Sequence, residues 1–92
     1  MVERAKKQKQ NPVDKSRGWA ALRLVLVGKS QHEVAAETGV FQSTVSKLVG
    51  LLALASRRDA LALWRAYAIE VAWWDEPPTQ SQLRALKALE AA

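Results

Sequence analysis

Apolar residues recur along this chain at intervals of three and four, and polar clusters cut them into five stretches. Residues 1–11, MVERAKKQKQN, show no such recurrence and are polar and basic, which predicts a flexible arm. Asn11-Pro12 is a cap followed by a first-turn proline, and predicts a helix from residue 12 to about Val27. Within it Trp19, Leu22, Val25 and Leu26 fall at helical spacing, although LRLVLV over Leu22–Val27 also alternates as a strand does. Gly28-Lys29 closes this stretch.

Ser30-Gln-His-Glu33 is a capping-box pattern, in which the hydroxyl takes the Glu33 amide and the carboxylate reaches back. The short helix it opens carries Val34 and Ala35 inward and ends at Thr38-Gly39, where glycine suits the left-handed closing position. Another helix starts near Gln42, with Val45, Leu48, Val49 and Leu52 on one face. Ser56-Arg-Arg-Asp59 is a polar break holding two cap candidates. From Ala60 to Trp74, 13 of 15 residues are apolar, which predicts one continuous helix buried on more than one side. Asp75-Glu76-Pro77-Pro78 ends it, and Thr79-Gln-Ser-Gln82 is a second capping box before Leu83, Leu86 and Leu89. The expected fold is all-α, with about five helices and no strand. Its expected division is an arm (1–11), a helix-turn-helix DNA-binding region (12–55) and a C-terminal helical dimerisation region (56–92).

Composition narrows the chemistry. The 92 residues contain no cysteine and a single histidine, His32, so there is no disulfide framework, thiolate site or histidine metal cluster. With no glycine-rich phosphate loop either, nothing assembles an acid, a base and a nucleophile; the chain is read as a non-enzyme without cofactor or metal. No run of apolar residues is long enough to span a membrane, and none resembles a signal peptide, so a cytoplasmic protein is expected. The net charge of +5 is unevenly placed. Residues 1–29 hold eight basic and two acidic side chains, whereas residues 30–92 hold six and seven. That asymmetry favours a polyanionic partner met mainly by the N-terminal part.

The stretch Gln31–Gly50, QHEVAAETGVFQSTVSKLVG, carries the functional reading. Two helices joined by about three residues around a glycine match the helix-turn-helix unit. Ala35 provides the small residue needed where the second helix crosses, Gly39 provides the turn, and Val40, Val45 and Leu48 pin the second helix from behind. At about 100° per residue, Gln42, Ser43, Ser46 and Lys47 fall on the opposite arc. Glutamine can bond adenine bidentately, lysine donates to guanine, and serine serves several base edges. These four, together with Thr44, Gln31, Lys29, Lys9 and Lys7, are the candidate DNA contacts.

Gly39-Val-Phe-Gln-Ser-Thr-Val-Ser-Lys47 resembles the recognition segment of phage Cro repressors. Leu24-Val-Leu-Val-Gly28 followed by this unit also resembles the TrfB/Kor-type repressors of broad-host-range plasmids. Ser46 stands where Cro-like proteins have Asn, and Phe41 where a serine cap is common. The resemblance implies base contacts at Gln42, Ser43, Ser46 and Lys47. It also implies a small transcriptional repressor of plasmid, phage or bacterial origin, associated with nucleoid or plasmid DNA. A homodimer on a palindromic operator is expected, with Trp64, Tyr67, Val71, Trp74, Leu83 and Leu86 as its interface. The alternatives are a helical protein–protein interaction module and the DNA-binding subunit of a recombinase or transposase.

Overall fold

The computed structural model describes residues 13–91, so the basic arm with Lys7 and Lys9, and the Asn11-Pro12 cap, lie outside the described residues. Among the described residues the chain is all-helical, with five α-helices and no strand. They are α1 (Arg17–Val25), α2 (Gln31–Thr38), α3 (Gln42–Val49), α4 (Arg57–Tyr67) and α5 (Gln80–Ala91), with a 3₁₀ segment, Val71–Asp75, between the last two.

Helix α1 starts later than a proline-opened helix would. The N-cap is Ser16, buried, whose Oγ accepts the Trp19 amide at 3.0 Å. Residues 13–16 are not helical, and the Val13 amide donates instead to the Leu51 carbonyl at 2.8 Å. A side-chain acceptor that meets an orphan amide of the first turn outcompetes the conformational preference of an upstream proline. Leu22–Val25 is helical, so the period-3.6 reading of LRLVLV holds over its first part, and Leu26–Gly28 forms the turn that follows.

The apolar run 60–74 departs from a single helix. It breaks at Ala68, which takes the left-handed conformation with φ 59°, and resumes as the 3₁₀ turn. A straight helix would carry Ile69 roughly half a turn away from Ala60, since each residue adds about 100°. The break lets Ala60, Leu63, Ile69 and Trp74 all bury against the same core. Left-handed alanine costs about 1–2 kcal/mol, comparable with what burial of one isoleucine returns, about 1.5–3 kcal/mol.

One core unites both parts of the chain. Trp19, Leu22, Val34, Val45 and Leu48 meet Leu63, Ile69, Trp74 and Leu86 in a single cluster. Helix α1 lies at its centre, against α3, the 3₁₀ turn and α5. Its Gly18 allows the Trp74 ring to lie flat on the helix: a Cβ there would come within 3.0 Å of three ring carbons. Arg17 closes the same corner. Its amide donates to the Glu76 carbonyl at 2.7 Å, its guanidinium meets the Glu76 carboxylate at 3.0 Å, and it lies 4.0 Å over the Trp73 ring. Both ends of the Thr79/Gln82 capping box form, and the Gln82 Nε2 also donates to the Arg17 carbonyl at 3.2 Å.

Candidate nucleic-acid interface

The expected capping box at Ser30 is complete: its Oγ accepts the Glu33 amide at 3.1 Å, and its own amide donates to the Glu33 carboxylate at 2.9 Å. Helix α2 ends at Gly39 with φ 81°, and the Gly39 amide donates to the Ala35 carbonyl at 2.9 Å. Thr38, not singled out by sequence pattern, ties the turn together. Its hydroxyl donates to the Val34 carbonyl at 2.7 Å and accepts the Val40 amide at 3.1 Å. Val40 is thereby fixed in the core, and the chain leaves the turn already aimed at α3.

Helix α3 is held from behind. Val45 and Leu48 are buried, and the Trp19 indole N–H donates to the Val49 carbonyl at 3.0 Å. That bond satisfies one of the carbonyls a helix leaves open at its C-terminal end. The helix then closes with Leu51 left-handed (φ 60°) and the Leu52 amide on the Lys47 carbonyl at 2.9 Å. Leucine thus takes the position usually filled by glycine, and Gly50 comes one residue too early.

The opposite side of α3 presents Gln42, Ser43, Ser46 and Lys47 to solvent, with Thr44 half-buried at the margin. The helix contains no acid. Gln31 is half-buried in the first turn of α2, and His32 beside it is exposed. Lys29 sits differently from a free phosphate contact, because its Nζ meets the Glu37 carboxylate at 2.9 Å. The other Glu37 oxygen accepts the Tyr67 hydroxyl at 2.6 Å, which joins α2 to α4. The Tyr67 hydroxyl first, and Lys29 second, hold the Glu37 carboxyl below its ordinary range. The same hydrogen bond raises Lys29, while burial and then Glu37 raise Tyr67. No pattern of apolar spacing announces this trio.

The residues expected at a dimer interface divide into two sets. Trp74 and Leu86 are buried within their own chain, so neither is available to a partner. Trp74 is turned away from Trp64 and Tyr67 because the expected single helix 60–74 breaks at Ala68, whereas Leu86 lies on the separate helix α5. Trp64 and Leu83 remain exposed, as does Leu89, while Tyr67 and Val71 are half-buried. The concavity of about 580 Å³ that Trp74 shares with Val13, Leu54 and Pro77 takes in none of the candidate DNA contacts among the described residues. The candidate site is therefore an exposed helix face. Comparison with protein-family profiles, with curated proteins and with solved structures finds no match to this chain.

Proposed function

We propose that this chain binds double-stranded DNA sequence-specifically, with α2 and α3 as a helix-turn-helix and α3 in the major groove. The observation that carries the reading is the row Gln42, Ser43, Ser46 and Lys47, exposed and free of acids, on a helix anchored by buried Val45 and Leu48. These side chains match the donors and acceptors of base edges, and an acid-free face meets no repulsion from phosphates. One such helix reads only a few base pairs, so the protein acts as a homodimer on a palindromic operator. Its two recognition helices then lie about 34 Å apart. In this reading it is a small repressor of plasmid, phage or bacterial origin that occludes polymerase.

Selection of bound duplexes from a random library tests the proposal. A palindromic consensus is the expected outcome. Gln42→Ala and Lys47→Ala should each then weaken consensus binding by about 1–3 kcal/mol while non-specific binding changes little. Equal losses on consensus and scrambled duplexes would reduce both residues to backbone contacts, and failure to enrich any sequence would refute the proposal.

A further inference from the structure

Phe41 is 78% exposed, more than any other large hydrophobic side chain among the described residues. It occupies the N-cap of α3, where a hydroxyl or carboxamide would accept a first-turn amide, and its side chain makes no capping bond. Neither the core nor the helix gains from a phenyl group at this position. The backbone on both sides is nevertheless firmly held: Val40 is buried, and the Phe41 carbonyl accepts the Val45 amide at 3.0 Å. The ring is thus carried at the leading end of α3, immediately before Gln42 and Ser43. Of its chain neighbours, Val40 is buried, whereas Gly39, Gln42 and Ser43 are exposed and bear no large apolar group.

The N-terminal residues of a groove-inserted recognition helix approach base edges first. Those edges offer only one apolar group in the major groove, the C5-methyl of thymine. A phenyl ring satisfies that methyl, but covers the donors and acceptors of the other bases without replacing their hydrogen bonds. We propose that Phe41 is a specificity-determining residue that reads the C5-methyl of a thymine next to the bases contacted by Gln42 and Ser43. This inference rests on the DNA-binding reading and adds a base identity to it.

The test uses the duplex selected from the random library, with each thymine replaced in turn by deoxyuridine, which lacks only the methyl. Wild type should lose about fourfold in affinity at one thymine of each half-site, the equivalent of one methyl-sized group returned to water. Phe41→Ala should bind the thymine and uracil duplexes equally, and should melt at the wild-type temperature because the ring is exposed. Insensitivity of the wild type to every replacement, or the same penalty in Phe41→Ala, would overturn the inference while leaving sequence-specific binding intact. A lowered melting temperature in Phe41→Ala would assign the ring to the fold instead. Enrichment of no sequence at all would remove the DNA-binding reading and this inference with it.

Discussion

Gly18 and Gly39 lack a Cβ for different physical reasons, and alanine at each separates them. At Gly39 a Cβ would have open space, but φ is 81°, so Gly39→Ala should cost only the left-handed backbone penalty of about 1–2 kcal/mol. At Gly18 the backbone is helical, and alanine would ordinarily gain up to about 1 kcal/mol there. The Trp74 ring occupies the space, however, and overpacking of about 1–3 kcal/mol outweighs that gain. Both variants should melt lower, by roughly 4–8 °C per kcal/mol. Gly28→Ala, with open space and no left-handed φ, should leave the melt nearly unchanged. Relief of the Gly18→Ala defect by Trp74→Leu would confirm the ring as its cause, and an undiminished defect would exclude it. Gly39 was legible in the sequence because its reason is local, a turn closing a capped helix. Gly18 was not, because its reason is a side chain far along the chain.

Between elements, the Lys29–Glu37–Tyr67 trio is the polar link from α2 to α4. The Glu37 carboxyl is depressed, so its contribution is present above the ordinary glutamate value of about 4.3 and is lost as pH falls. Tyr67 and Lys29 are raised, so theirs is present below their ordinary values of roughly 10 and is lost as pH rises. The stability difference between wild type and Glu37→Gln should therefore be greatest near neutral pH and shrink towards both extremes. Added salt should diminish it, since the Lys29–Glu37 pair is exposed. Urea midpoints across pH provide the measurement; coincident profiles would mean that the link contributes nothing, and a constant offset that its charges contribute nothing. The helices themselves were largely legible, because the caps at Ser30, Ser56 and Thr79 and the face of α3 depend on residues within one or two turns. The break at Ala68 was not, because no residue there disfavours a helix. The demand to bury Ile69 and Trp74 on one side decides it. In the candidate site, the polar row on α3 follows from periodicity, whereas the Thr38 bridge and the engagement of Lys29 depend on partners that spacing does not reveal.

At the scale of the whole molecule, the two tryptophans once grouped together should now behave differently. Trp74 is part of the core, and its truncation should cost about 3–5 kcal/mol, a large share of the stability of a small domain. Trp64 is 45% exposed, so Trp64→Ala should remain folded and, if the proposed dimer uses this side chain, should become monomeric. Light scattering beside circular dichroism distinguishes the cases. A wild type that stays monomeric at high micromolar concentration would remove the dimer from the proposal.

The closure of α1 by the Trp74 ring and by Leu86 of α5 also orders events during synthesis. A chain growing from its N-terminus completes α1, α2 and α3 by residue 49, yet the side of α1 at Gly18 that packs against the Trp74 ring, and the part of the core filled by Leu86, are covered only when those residues have been added. At ordinary translation speeds that interval lasts roughly two to seven seconds. A prematurely terminated product would include every candidate base-reading residue of α3 but leave the Gly18 side of α1 without its Trp74 cover. Such a fragment, with part of its core uncovered, should be more readily cleaved by proteases than the finished protein.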